Sequence, residues 1–403
     1  MEKIYYGKAV YNNKEIKAVL NVLKKKPLNL MDGPSVKMLE KKVANIFGKR
    51  FGLMVNSGSS ANILALSSLN IKKGSEIITP SLTFSTTIAP IYQLGFVANF
   101  IDVEKNKFIA DISQIEKKIN NKTRAILIPN LLGNIPDWKK IREIADKYKL
   151  YLIEDSADTI GYSINKKNTG KLSDIVTTSF YASHVVTGAG FGGMVCFNNK
   201  NFYDEAKLLR GWGRSSAIFN ESENINKRFS VKISGIDYDK KYIFSKMGYN
   251  FLPSEISAAF ALEQLKKLKL NIKKRIYNFN NLINFFVKFN QLLEMPILNK
   301  NVHTAWLAFP MIIKKNKFFN RKALQIYLEK KNIQTRTIFT GNIIKQPIMK
   351  KFNYKSNRQS GIISTNVMRN GILLGCHQGM RKSQLEYIKR TFSKFLIEKG
   401  AII

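Results

Sequence analysis

Seven strand-length apolar runs, at residues 52–55, 76–79, 97–103, 125–129, 150–153, 175–180 and 193–197, are separated mostly by stretches of helical periodicity. The helix that precedes the first run is clear. Val36, Leu39, Val43, Ile46 and Phe47 recur at three- and four-residue spacing until Gly48 stops them. Residues 63–69, 138–147 and 202–209 repeat the pattern. Strands that alternate with helices build crossover units and a mostly parallel sheet. In such a sheet the reactive side chains gather beyond the carboxyl ends of the strands. That rule singles out the Ser57–Ser60 turn, Asp155 and Ser179.

The chain has 403 residues, more than one hydrophobic core usually serves, so two unequal domains are expected. The expected division is residues 1–265, with a seven-stranded, mostly parallel sheet, and residues 266–403, a smaller α/β unit. Residues 254–268 read as a helix opened by a serine, and a basic amphipathic region at 265–289 leads onward. In the second unit, residues 306–313 read as a strand, 319–330 as a helix and 385–396 as a closing helix. Asp111 and Gln114 have capping-box spacing, which predicts a helix at 115–119. Residues 211–242 show no period and are expected to be a long loop with a functional or interface role.

Composition narrows the function classes. Hydrophobic residues make up 44% of the chain, ample for a buried core. The net charge of +38 comes from lysines spread along the whole sequence, in short runs such as Lys24-Lys25-Lys26 and Lys330-Lys331. Without a basic tail or an RNA-binding aromatic pattern, this reads as a lysine-rich solvated surface rather than a nucleic-acid footprint. No apolar run reaches the length of a membrane span, and the first residues lack a signal-peptide core. Cys196 and Cys376 are the two cysteines, too few for a disulfide framework or a four-cysteine metal site. A reducing cytoplasm is the expected compartment.

Two stretches carry chemistry. Asn56-Ser57-Gly58-Ser59-Ser60-Ala61-Asn62 joins a strand to a helix start, where open amides and the helix dipole favour an anion, although such turns also cap helices routinely. Residues 179–193, Ser-Phe-Tyr-Ala-Ser-His-Val-Val-Thr-Gly-Ala-Gly-Phe-Gly-Gly, connect a strand to a return strand by an exposed polar turn that carries His184. Taken singly, Asp155 is equally a turn residue, Phe84 a core residue and Asn250 a turn former.

Together these stretches resemble the DegT/DnrJ/EryC1/StrS sugar aminotransferase family of the aspartate-aminotransferase fold, type I. There the pattern Ser-Phe-aromatic-x-x-Lys places a lysine that holds pyridoxal phosphate (PLP) as a Schiff base. Here that position is His184, as in the nucleotide-sugar 3-dehydrases of the family. The resemblance implies that Gly58, Ser59, Ser60 and Ser179 bind the cofactor phosphate. Phe84 would stack on the ring, Asp155 would face the pyridine nitrogen, and Ala157 and Asp158 would lie beside the cofactor. Asn250, in Gly248-Tyr249-Asn250, would reach the phosphate from the other subunit of a homodimer. Tyr181, Phe339, Gly341 and Asn342 would meet the sugar.

His184 is then the general base, because imidazole takes a proton near neutral pH but forms no stable Schiff base. The implied reaction starts from pyridoxamine phosphate (PMP) and removes the C3 hydroxyl of a nucleotide-linked 4-keto-6-deoxyhexose. One branch of these enzymes carries an iron–sulfur cluster, but its cysteine positions are here Ala157, Ser216 and Ile218. Thiolates are what hold such a cluster, so no cluster and no metal are expected, and glutamate is the expected source of the amine. Two departures from the family pattern stand out. The turn Gly188-Ala189-Gly190-Phe191-Gly192-Gly193 is one residue longer than usual, and Leu374-Gly375-Cys376-His377 places a histidine that meets substrate or lies on the surface. The alternatives are an aminotransferase that uses another lysine, or an inactive cofactor-binding homologue.

Overall fold

The computed structural model describes residues 2–25, 30–165, 168–218, 224–299 and 301–401. Its centre is an eight-stranded sheet. The strand order is Phe51–Val55, Gly193–Phe197, Ile175–Ser179, Tyr151–Asp155, Thr123–Pro129, Glu76–Pro80, Val97–Ile101 and Tyr354–Lys355. All pairings are parallel except the two made by Gly193–Phe197. The strands are buried along nearly their whole length, which is why they read as continuous apolar runs rather than as alternating ones. Helix Pro34–Phe47 precedes the first strand, and helices Gly58–Ser67, Ser85–Gln93 and Trp138–Lys147 lie between later ones.

The mixed α/β architecture with a mostly parallel sheet agrees with the sequence, and the eighth strand is an addition. Tyr354 pairs with Ala98 and Lys355 with Asn99, so a two-residue strand from far along the chain closes one edge. A smaller antiparallel sheet, ordered Leu293–Glu294, Phe309–Ile313 and Gly371–Leu374, forms nearby. It packs with Phe279, Phe286, Trp306, Phe392 and Phe395 in a core of its own.

Three local expectations fail for physical reasons. Asp111 does accept the backbone N–H of Ser113, but it opens two three-residue 3₁₀ turns, Ile112–Gln114 and Glu116–Lys118, in place of an α-helix. The segment 211–242 is not one loop. It contains helix Ile225–Arg228 and a hairpin that pairs Val231–Ile233 with Ile236–Tyr238. Ser234 and Gly235 both have positive φ, 51° and 83°, the signature of a tight primed turn. The strand expected at 306–313 begins only at Phe309, because Trp306 and Leu307 give their carbonyls to a buried arginine instead of a neighbouring strand.

Asp102, just past the end of Val97–Ile101, joins the large sheet to the C-terminal part of the chain. Its carboxylate accepts Ile363 N at 2.6 Å, Ser364 N at 3.0 Å and Ser364 Oγ at 2.8 Å, which caps helix Ile362–Asn370. Replacing it with alanine strands these donors in the interior. Asp102→Ala should lower the stability by about 2–4 kcal/mol, read as a lower urea midpoint, whereas an unchanged midpoint would contradict this linkage.

Candidate active site

Val55 and Ser179 both pair with Gly193, so the ends of their strands meet at one edge of the sheet. Gly193 has no room for a side chain, because a Cβ there would lie 2.3 Å from Ser57 O and 2.7 Å from Gly58 N. The Ser57–Ser60 turn therefore rests directly on the strand. Ser57 caps helix Gly58–Ser67 by accepting Ser60 N at 3.1 Å, and Ser60 Oγ donates to Asn56 Oδ1 at 2.6 Å. The amides of Gly58 and Ser59, first in the helix, have no intrahelical acceptor and face outward. Ser179 lies against Gly58, where a Cβ would meet its side chain at 2.7 Å. The result is a small nest of donors suited to an anion.

Asp155 ends the central strand of this edge and is buried. Its Oδ2 accepts Asn62 Nδ2 and Thr87 Oγ1, each at 2.9 Å, and its Oδ1 accepts Ala157 N at 3.1 Å. Burial pushes its pKa up, and these hydrogen bonds pull it back. Among the described residues no cation pairs with it. A buried carboxyl group with aligned donors and no counter-ion suits a cationic partner. Asn62 and Thr87 were not foreseen. Their signal is faint: Asn62 is a polar residue inside the apolar run Ala61 to Leu66, held in turn by Thr177 Oγ1 at 2.6 Å.

His184 sits in the turn after Ser179. Its amide donates to Tyr181 O at 3.0 Å, and its Nδ1 lies 3.3 Å from Ser179 O. A carbonyl only accepts, so Nδ1 carries the proton and Nε2 is left bare. The ring is half-buried, and loss of solvent is the main cause that pulls its pKa down to about 4, with Arg275 adding in the same sense. Imidazole is thus neutral at physiological pH and able to accept a proton. Tyr181, 60% exposed, stands edge-on to it at 5.8 Å.

The opposite wall comes from distant segments. Phe84, 49% exposed at the start of helix Ser85–Gln93, meets Phe339 edge-on at 6.1 Å. The loop that carries Phe339 is tied down, since Thr340 Oγ1 donates to Thr83 O at 2.6 Å and Ile343 N to Ser81 O at 2.9 Å. Gly341, at φ 64°, packs on Met368 where a Cβ would lie 2.4 Å from the side chain. Asn342 is brought to the same loop, but its side chain turns inward to Gly361 O and Thr365 Oγ1. It supports the loop and does not face the cleft. Asn250 is exposed, and its neighbour Phe251 accepts Asn56 N at 3.1 Å, at the base of the serine turn.

His377 is neither in the cleft nor on the surface. It is 3% exposed, with Nε2 3.2 Å from Tyr5 O and Nδ1 accepting Gly379 N. The same contacts draw the N-terminal segment across the site. Tyr6, missed in the sequence because its surroundings have no period, lies near Ser183, Asp158, Arg336 and Tyr181. No group of three or more histidine, cysteine or acidic residues among the described residues is placed to hold a metal ion. No helix among them is long and apolar enough to cross a membrane.

Asp158 accepts Leu132 N at 2.7 Å. Burial first, then the charge of Asp155, pushes its pKa up to about 7. A carboxyl whose pKa is higher in the folded than in the unfolded chain stabilises the fold while protonated, and that stability is lost as pH rises from about 4 through about 7. Asp158→Asn keeps an acceptor for Leu132 and removes the charge. At pH 8 it should be more stable than wild type, on the order of 1–3 kcal/mol, and at pH 4 the two should unfold together. Parallel stability curves across this range would refute the shift.

The chain matches the DegT/DnrJ/EryC1/StrS aminotransferase family over residues 10–393. It is 33% identical over 368 residues to the lipopolysaccharide biosynthesis protein RfbH of Salmonella typhimurium, covering 88% of this chain and 84% of that one. To the GDP-4-keto-6-deoxy-D-mannose 3-dehydratase of Escherichia coli O55:H7 it is 31% identical over 394 residues, covering 95% and 97%. The solved structure of the E. coli GDP-4-keto-6-deoxy-D-mannose-3-dehydratase with bound hydrated PLP superposes with a TM-score of 0.85 at 30% identity, over 97% of this chain and 99% of that one. With its anion nest, buried aspartate and His184 arranged at one edge of a matching sheet, the chain belongs to the DegT/DnrJ/EryC1/StrS aminotransferase family.

Proposed function

We propose that this protein is a B6-dependent 3-dehydrase that removes the C3 hydroxyl of a nucleotide-linked 4-keto-6-deoxyhexose, with His184 as the base. The observation that carries this reading is an imidazole, its Nδ1 directed at Ser179 O, at the position where the family pattern places its lysine. When bound, PMP supplies an amine for the sugar ketone and a ring that accepts electrons. The Gly58–Ser60 turn and Ser179 would hold the phosphate through their amides and hydroxyls. Asp155 would face the ring nitrogen and favour its protonated form. Phe84 would cover a ring face. His184 Nε2 would accept a proton at C4′ and return it to the departing C3 oxygen, which leaves as water, and Tyr181 and the Phe339–Gly341 loop would enclose the sugar. Ala157 and Asp158 complete the cofactor's surroundings, and Asn342 holds the loop in place.

Glutamate is the proposed source of the amine. The proposed division is a cofactor domain to about residue 265 and a smaller domain after it, supported by the break between helices Glu255–Lys266 and Leu268–Phe286 at Lys267. The deciding experiment supplies enzyme, PLP and glutamate with GDP-, CDP- and dTDP-linked 4-keto-6-deoxyhexoses and weighs the products. A 3-deoxy-4-keto sugar is expected with one of them. His184→Gln should abolish its formation, at least about a hundredfold, while the cofactor still binds. An amino sugar as product, or one lysine fixed stoichiometrically to PLP by borohydride, would establish the aminotransferase reading instead.

The site is proposed to be completed in a homodimer, with Asn250 reaching the partner's phosphate nest. The support is its exposure next to that turn and the prevalence of two-fold assemblies. Asn250→Ala and His184→Ala protomers, mixed under subunit exchange, should regain activity in hybrid sites. Exchange without regained activity would place Asn250 in its own subunit's site.

A further inference from the structure

Arg275 is the one cation in the described interior that stands beside His184 with no carboxylate as partner. It belongs to helix Leu268–Phe286, in a buried polar row with Asn271 and Asn278 beside the apolar stripe of Leu268, Ile272, Phe279, Leu282 and Phe286. Its side chain is fully buried, at 0% exposure. All its hydrogen bonds go to neutral oxygens: Nε donates to Gln378 Oε1 at 2.6 Å, and Nη1 to Trp306 O and Leu307 O at 3.0 Å. Nη2 donates to Ser183 O at 3.5 Å, the peptide that leads into His184. The groups of opposite tendency that face it are the thiol of Cys376 and the phenol of Tyr6. Burial pushes the thiol up to about 12 and the phenol up as well, so neither carries a negative charge at neutral pH. Taking a cation out of water without a counter-ion is expensive. A charge retained at that cost calls for a role.

We propose that Arg275 is a positioning residue for the proton transfer: its fork fixes the Ser183–His184 turn to the small-domain carbonyls, and its uncompensated charge keeps His184 in the neutral, proton-accepting form. Desolvation and this neighbouring charge act in the same direction on the imidazole. Tyr181 flanks the ring without charge. On the far side of Ser183, Tyr6 stands between Asp158 and Arg336, whose charges oppose each other. After His184 takes a proton, two cations share the buried turn, so the imidazolium is a strong acid and passes the proton on readily. This inference rests on the base role of His184, but its test reads the charge of the ring whatever that role is.

The test supplies Arg275 with the counter-ion it lacks. Gln378 is buried against Nε, and Gln378→Glu places a carboxylate there, keeping the oxygen that accepts from Arg275 and nearly the same shape. Only three histidines are present, so ring resonances of isotope-labelled protein are assigned from His184→Gln and His303→Gln spectra and followed against pH. The His184 midpoint should rise by roughly half to one pH unit in Gln378→Glu, the size of a nearby opposite charge acting at one remove. His377, which also faces Arg275, should rise with it. The variant should fold at least as stably as wild type, because the new pair is charge-assisted. Gln378→Met, which removes the acceptor without adding charge, should leave the His184 midpoint in place. An unmoved midpoint in Gln378→Glu, an equal rise in Gln378→Met, or failure of Gln378→Glu to fold would overturn the proposal.

Discussion

The carboxylate of Asp155 is buried at the end of a central strand and is held there by groups from three separate elements: Asn62 from one helix, Thr87 from another and the amide of Ala157 from its own turn. A lone carboxylate in that place would be protonated or expelled, since burial alone pushes its pKa up. The order of the strands reflects this requirement. Asn62 and Thr87 can reach Asp155 only if the strands before their helices lie in the same sheet as Tyr151–Asp155 and bring their helix starts to the same edge. The parallel pairing of Glu76–Pro80, Thr123–Pro129 and Tyr151–Asp155 provides that for Thr87. Asn62 then extends the chain of contacts to Thr177 on the next strand. Hydrogen bonds at the sheet edge thus tie the placement of the serine turn, Phe84 and His184 to one acidic group.

Much of this was legible in the sequence, for a physical reason. Strands buried on both faces cannot alternate, so seven of the eight in the main sheet stand out as apolar runs. The eighth, Tyr354–Lys355, has two residues and no pattern to read. The hairpin at 231–238 went unseen because its strands are exposed and only three residues long, although Ser234-Gly235 is a turn signal. Residues at strand ends were found because topology assigns them a place. Residues that support them from helices were not: Asn62, Thr87 and Arg275 are polar residues on buried faces, and in one dimension each looks like a surface residue at a slightly wrong phase. Arg275 comes directly after Lys273 and Lys274, where one more cation draws no notice. His377 was misplaced for the converse reason. A histidine between apolar runs looks available, but backbone groups of Tyr5 and Gly379 take both of its nitrogens.

The chain's large positive charge acts differently at the surface and in the interior. Most lysines are exposed, where salt screens them within about 8 Å, so they collect anionic ligands without tuning any one group. Interior charges are few and each matters. Arg210 is buried but has Asp32 and Glu40 as partners. Glu40, pushed up to about 7 by burial, shows how strongly the interior disfavours even a paired charge. Arg275 has no such partner, and it lies under the one turn where an added positive charge disfavours protonation of a base.

The same dry interior raises Asp155 and Asp158 and lowers His184, in each case favouring the uncharged form. Burial opposes the charged form of each of these groups. The serine turn offers amides suited to an anion, and Asp155 a side chain suited to a cation, at two places on one sheet edge. A ligand with a phosphate at one end and a protonated ring nitrogen at the other satisfies both at once, and burying it between Phe84 and the sheet removes more water. His184 gains no counter-ion from such a ligand and is left neutral. On the proposed reading, a cofactor bound there would favour the charged form of Asp155 and leave His184 as the group beside the ring to accept a proton.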